Sequence, residues 1–301
     1  LADAEVEYHD HTSPTIWVRF PVTAPARPEL DGASVLIWTT TPWTLPGNRA
    51  VACHADVTYA VIGVGEAGED SLARPGERLI VARELADTVT EQTGITHYTV
   101  EAEVPGRELA GTVCAHPFAG QGYDFEVPVL AAGFVTLDQG TGVVHIAPGH
   151  GTDDWLLGRE HGLEMPATVD DDGVFMDHVP LFAGERVYTP KGKEGGANRA
   201  VIDALREAGA LLQRGTLRHT YPHSWRSKVP LIFRATPQWF ISMEADGLRE
   251  KALAAVSRTA FYPAEGQERL HEMIANRPDW CVSRQRRWGV PLPIFVHKRT
   301  G

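Results

Sequence analysis

The sequence predicts an α/β fold, a compact β-rich domain with flanking helices and strands. Three observations predict it. Short runs of β-branched and aromatic residues recur through the first three-quarters of the 301 residues. Helical periodicity interrupts them at only a few points. Beyond a tract at 221–237 the pattern becomes mostly helical. Apolar residues make up 43% of the chain, enough for a buried core, and charged residues 22%, an ordinary share for a soluble globular protein.

The elements follow in order. Strands are expected at 15–20, 35–38, 59–64, 79–81, 127–131 and 142–146, where branched and aromatic side chains dominate. The Gly- and acid-rich segment 66–77 reads as a surface loop. Helical spacing appears at 82–92, at 153–160 and at 198–208, the last with Val201, Ile202 and Leu205 on one face. Two further helices are expected at 244–257 and 267–275. A boundary is placed near Trp225. There is no internal repeat and no low-complexity segment.

The net charge of −11 argues against a nucleic-acid binder at first sight, but the charge is uneven. Segment 208–243 holds no acid, yet contains Arg214, Arg218, Arg226, Lys228 and Arg234. Another basic run is Arg284-Gln285-Arg286-Arg287, whereas 153–185 holds nine acids against Arg159. A local basic track suffices for phosphate contact; a solvated surface with uneven clustering explains the same pattern. Cys53, Cys114 and Cys281 are far apart, odd in number and without zinc spacing, so a reducing cytoplasm is the expected setting. No apolar run approaches a membrane span, and no membrane partner is expected. Leu1-Ala2-Asp3-Ala4-Glu5 carries no initiator Met and no signal pattern, and the chain reads as a piece of a longer protein.

Two constellations carry the chemistry. The first is Trp38-Thr39-Thr40-Thr41-Pro42-Trp43-Thr44-Leu45-Pro46-Gly47-Asn48. An apolar strand ends in three threonines, and Pro42 holds Thr41 extended. Hydroxyls at such a strand end can bind a ligand, although Thr also suits a strand for steric reasons alone. The second is Gly140-Thr141-Gly142-Val143-Val144-His145-Ile146-Ala147-Pro148-Gly149-His150-Gly151-Thr152-Asp153-Asp154. Here a glycine turn feeds a strand, then a loop, then a helix with Thr152 as its expected N-cap. Asp153 and Asp154 complement the helix dipole, or one of them faces a pocket, since neighbours in a helix point about 100° apart. His145, His150 and the two aspartates match no metal-ligand template, and no metal is expected.

Both segments resemble the editing domain inserted in class I aminoacyl-tRNA synthetases for branched aliphatic amino acids. The Thr39–Thr41 form, followed by Pro42 and Trp43, is similar to the isoleucyl branch; valyl and leucyl relatives usually carry arginine in place of Thr41. Two further segments match in order. Pro222-His223-Ser224-Trp225-Arg226, with Phe233-Arg234-Ala235-Thr236-Pro237-Gln238-Trp239-Phe240, looks like the exit from that domain. Asp279-Trp280-Cys281-Val282-Ser283-Arg284-Gln285-Arg286-Arg287-Trp288-Gly289-Val290-Pro291 looks like the return to the catalytic core. Ser224 stands where the family often has cysteine. The ATP-handling His-Ile-Gly-His and Lys-Met-Ser-Lys-Ser signatures are missing from the sequence.

The resemblance implies three parts: connecting strands at 1–20, the editing domain at 21–225, and a segment at 226–301 returning towards the nucleotide-binding core. It implies hydrolysis of valyl-tRNA(Ile), with the tRNA acceptor end and the remainder of the same synthetase chain as partners. No cofactor is expected for editing, since ATP and Mg belong to the synthetic site. The two-sieve logic was worked out on isoleucyl enzymes themselves: one methylene is too little to reject valine, so a second site hydrolyses what is small enough to enter. By the same resemblance Asp154 holds the substrate ammonium, a charge-assisted pairing that suits a carboxylate. Thr39, Thr40 and Thr41 contact the aminoacyl group and terminal adenosine. Trp43, Thr44, Asn48 and Gly142 complete the wall, and His145 limits the size of the side chain, with a core role as its alternative. His150 is a weaker candidate, a loop role serving equally well. Trp225 and Trp239 are expected to pack rather than to stack on bases.

Overall fold

The computed structural model describes residues 5–284 and 289–299. The chain divides into two compact units between Ala235 and Thr236. The first contains nearly all the strands. β1 (Val6–Ala24), β2 (Ser34–Thr39), β3 (Ala50–Cys53), β4 (Thr58–Ala67), β5 (Arg78–Ala82), β6 (Ile95–Pro105), β7 (Val113–Ala115), β8 (Glu126–Ala131) and β9 (Val143–Ile146) form one sheet in the order β6-β4-β5-β2-β1-β7-β8-β3-β9. β10 (Leu211–Ser224) pairs with β1 off this path. The mixed α/β, β-rich class expected from the sequence is therefore observed.

Side-chain alternation explains why this sheet is covered on both faces. In β1, Ile16, Val18 and Phe20 enter one core and Trp17 the other. β2 does the same with Val35 and Ile37 against Leu36, and β5 with Ile80 and Ala82 against Leu79 and Val81. Helix α1 (Ala86–Thr93) closes the second core through Ala86 and Val89. The short α2 is Gly106–Leu109 and α3 is Thr152–Glu160; α4 (Ala197–Glu207) closes the first core through Ala197, Val201 and Leu205. The outer half of β1 leaves the sheet with β10 as a two-stranded ribbon, Val6 opposite Ser224 and Pro14 opposite Thr216. β1 is unbroken across positions 20 and 21.

Several expectations need revision. The strand at 15–20 extends to Val6–Ala24, and β3, β6, β7 and β10 were not foreseen. The helix at 82–92 is a 3-10 turn, Arg83–Leu85, followed by α1. Gly151, without a side-chain cap, is the N-cap of α3, and Thr152 is its first helical residue.

The second unit, from Thr236 onward, has a short pair, β11 (Phe240–Ile241) with β12 (Trp280–Cys281), and two helices, α5 (Leu248–Arg258) and α6 (Glu265–Ala275). Among its described residues Met243 and Val256 are the buried hydrophobics. Trp225 and Trp239 do not pack away: they are 43% and 47% exposed, and the Arg226 guanidinium lies over the Trp225 ring. Gln285, Arg286, Arg287 and Trp288 of the basic run and the fourth motif lie outside the described residues. No helix among the described residues is long and apolar enough to cross a membrane.

Candidate functional site

β2 delivers the threonines to the site. Past Thr39 the chain cannot stay in the sheet, because Pro42 has no N–H to give, and it folds into a buried 3-10 turn, Pro42–Gly47. The threonine side chains bond to one another and to the turn. Thr39 Oγ1 accepts from the Thr41 N–H at 3.1 Å and lies 3.3 Å from Thr41 Oγ1. Thr44 Oγ1 lies 3.3 Å from Thr41 Oγ1, and its hydroxyl donates to the Thr41 carbonyl at 2.8 Å.

β9 brings the second motif alongside. It pairs with β3, Val51 opposite His145, and packs beside β2. His145 Nε2 meets Thr44 Oγ1 at 3.0 Å. The Thr44 proton already goes to a carbonyl, so Nε2 carries the imidazole proton and Nδ1 is left as an acceptor. That Nδ1 is buried without a protein partner. Burial first, and then nearby His150, push His145 down to about 4, which keeps the ring neutral at pH 7.

Asp154 is the third residue of α3, and its Oδ2 reaches back to accept from the Ala147 N–H at 2.9 Å. It is half-buried, whereas Asp153 is exposed, the division that their helical spacing requires. Burial raises the Asp154 carboxyl to about 6; the Ala147 N–H opposes the rise and the Asp153 charge adds to it. A carboxylate that pays to ionise here gains from a cation brought beside it.

The remaining candidates divide into two groups. Trp43 donates its backbone N–H to Asn198 Oδ1 at 3.1 Å, and its indole stands edge-on to His150 at 4.8 Å. Its Nε1 and Asn48 Oδ1 are buried without protein partners, while Asn48 Nδ2 donates to the Ala50 carbonyl at 2.8 Å. Thr40 is half-buried and lines a small pocket with Ser13, Thr41, Trp43, Tyr188 and Glu194. His150 and Gly142 are otherwise occupied. His150 Nδ1–H donates to the Phe233 carbonyl at 2.9 Å and Nε2 accepts from the Thr168 hydroxyl at 2.6 Å. The Gly142 carbonyl accepts from the Tyr59 hydroxyl at 2.7 Å, and a Cβ there would sit 2.4 Å from that of Ala82. Among the described residues no three His, Cys, Asp or Glu side chains converge as a metal site.

Sequence reasoning missed Asn198, Thr168 and His116. None lies in a recognisable motif: Asn198 holds the Trp43 N–H across 155 positions, Thr168 donates to His150, and His116 lies 3.1 Å from the Leu45 carbonyl. The basic track is also less available than its composition suggests: Arg218 pairs with Asp10, Lys228 with Glu7 and Arg234 with Asp171.

Comparisons with known proteins agree with the motifs. The family model for class I tRNA synthetases (I, L, M and V) matches residues 1–301. The isoleucine–tRNA ligases of Gluconobacter oxydans, Bradyrhizobium diazoefficiens and Caulobacter vibrioides are 49%, 50% and 51% identical to this chain. Each match covers 100% of this chain and 32% of the relative, so the chain spans about a third of the length of these relatives. Among solved structures, that of GlLeuRS-CP1 gives a TM-score of 0.48 at 14% identity, over 67% of this chain and 99% of that one. The P. falciparum cytosolic leucyl-tRNA synthetase editing domain gives 0.37 at 11% identity, over 50% of this chain and 67% of that one. Both likenesses are too low to carry weight. The family match over the whole length shows that the chain belongs to the class I tRNA synthetases of the isoleucine, leucine, methionine and valine group.

Proposed function

We propose that the chain is the editing portion of an isoleucine–tRNA ligase and that it hydrolyses the ester of valyl-tRNA(Ile). The observation that carries this reading is the Thr44–His145 bond that joins two distant motifs, with the Asp154 carboxylate held on the Ala147 N–H two residues beyond His145. In this reading Asp154 holds the α-ammonium group of the substrate. Thr39, Thr40 and Thr41 line the aminoacyl ester and the terminal adenosine, and their hydroxyls orient water and polarise the carbonyl without bearing charge. The buried imidazole of His145 closes the space for the amino-acid side chain, with Trp43, Thr44 and Asn48 completing the wall.

The reaction is direct attack of water on the ester carbonyl carbon. The carbon–oxygen bond to the ribose breaks, the ribose oxygen takes a proton, and free valine leaves. No covalent nucleophile is invoked: Cys53, Cys114 and Cys281 have no motif partner, and burial raises the thiols of the first two to about 12. No cofactor is invoked either; ATP and Mg belong to the synthetic site of a complete ligase. The tRNA acceptor end and the rest of the ligase are the proposed partners, in the cytoplasm.

Deacylation of preformed valyl-, threonyl- and isoleucyl-tRNA(Ile), measured side by side and with EDTA present, tests this. Valyl ester is hydrolysed fastest and isoleucyl ester slowest, and EDTA changes neither rate. Preference for the threonyl ester would indicate valyl-type editing. Binding of tRNA without hydrolysis of any ester would indicate an inert binding module.

A further inference from the structure

Behind the threonine turn lies a histidine that the proposed chemistry does not touch. His116 follows β7 and is 1% exposed. Its Nε2 lies 3.1 Å from the Leu45 carbonyl, and its Nδ1 accepts from the Phe118 N–H at 3.1 Å. A carbonyl only accepts and a backbone N–H only donates, so the ring is neutral with its proton on Nε2. Tyr123 stacks on it at 4.7 Å and 12°, and Phe20, Phe118 and Phe125 surround it. Burial pushes it down to about 3, which keeps the ring neutral and Nδ1 free to accept from Phe118.

The turn it grips is packed into the main core through Trp43 and Leu45, yet two of its residues can donate no backbone hydrogen bond. Pro42 and Pro46 have no N–H. Backbone bonds bracket the turn at its two ends, from the Thr44 N–H to the Thr41 carbonyl at 3.0 Å and from the Asn48 N–H to the Leu45 carbonyl at 2.9 Å. Asn198 fixes one end of it at the Trp43 N–H. His116 fixes the other end, on the same Leu45 carbonyl that receives Asn48. Leu45 is the neighbour of Thr44, whose hydroxyl receives His145.

We propose that His116 is a positioning residue of the site: acting through Leu45, it seats the Pro42–Gly47 turn so that Thr44 meets His145. This rests on the reading that the turn belongs to a deacylation site. Two substitutions separate its two bonds. In His116→Gln the amide nitrogen reaches the place of Nε2 and keeps the bond to Leu45. In His116→Asn the carbonyl oxygen takes the place of Nδ1, keeping Phe118 and losing Leu45. Both vacate aromatic packing, so both lower the melting temperature.

In a complete ligase, His116→Asn is expected to lower kcat for valyl-tRNA deacylation about tenfold or more with KM nearly unchanged, and His116→Gln to recover most of that loss. Rates that merely follow the folded fraction in both variants, or a full rate in His116→Asn, overturn the proposal. A second readout needs no activity. The ¹⁵N imidazole signals of His145 should move in His116→Asn and stay in place in His116→Gln; signals unmoved in both overturn the proposal. A wild-type protein inert towards valyl-tRNA, with His145 still responding to His116→Asn, refutes the proposed reaction and leaves the positioning role standing.

Discussion

Asp154 ionises where charge is costly, and pH should expose that cost. Its folded-state value of about 6 lies above the roughly 3.9 of an unfolded aspartate. Between those values the folded chain holds more protons than the unfolded one, so this residue makes stability fall as pH rises through the window. Above about pH 6 the whole penalty is in place. Asp154→Asn should therefore melt higher than wild type at pH 7, with the gap closing towards pH 4; parallel curves would mean that the carboxyl is not shifted. Activity should run the other way. In the proposed reaction the substrate ammonium needs the carboxylate, so kcat/KM for valyl-tRNA should climb through about pH 6 and be largely lost in Asp154→Asn. His145 makes a separate prediction. His145→Ala opens the side-chain wall and should raise the isoleucyl-to-valyl rate ratio about tenfold or more; an unchanged ratio with a lowered melting temperature favours a core role. The threonines, His145 and Asp154 were legible because a motif displays residue types in order. The Thr44–His145 bond, across 101 positions, was not, nor was His116, because contact partners over such distances are set by the fold.

At the scale of elements, legibility mostly follows burial; β3, buried throughout, escaped because Ala50-Val51-Ala52-Cys53 is short and holds a single β-branched residue. β2, β4, β5, β8 and β9 announce themselves because a strand must be apolar on each face that meets a core. β6 and most of β10 are largely exposed, so neither face demands apolar residues and their sequences read as loop. The outer half of β1 was missed for the same reason. The turn before β9 was read correctly as a glycine turn, but Gly142 serves it sterically. Its φ is +74°, and a Cβ would meet those of Ala82 at 2.4 Å and Leu137 Cδ2 at 3.0 Å. Gly142→Ala should cost roughly 2–4 kcal/mol of stability, seen as a melting temperature lowered by several degrees. Deacylation per folded molecule should be retained in the cold. A specific rise in KM without loss of stability would place Gly142 against substrate after all.

For the molecule as a whole, the two units differ in what holds them. All three apolar clusters lie before Ala235, whereas α6 has no buried residue. A chain ending at Ala235 should melt within about 3 °C of the full 301 residues and keep valyl-tRNA deacylation. Residues 236–301 alone should show no cooperative transition. A first unit that fails to fold without the second would show that its clusters are insufficient. The ribbon adds a property of a different kind. Where it begins and ends, the Trp225 N–H donates to the Glu5 carbonyl at 3.0 Å and Val6 faces Ser224. A polypeptide that carries this body therefore leaves its own path and rejoins it about one strand spacing away, near 5 Å. Ends held that close match the width of an ordinary surface turn, so the geometry of residues 6–224 suits a body that interrupts a chain without displacing the backbone on either side.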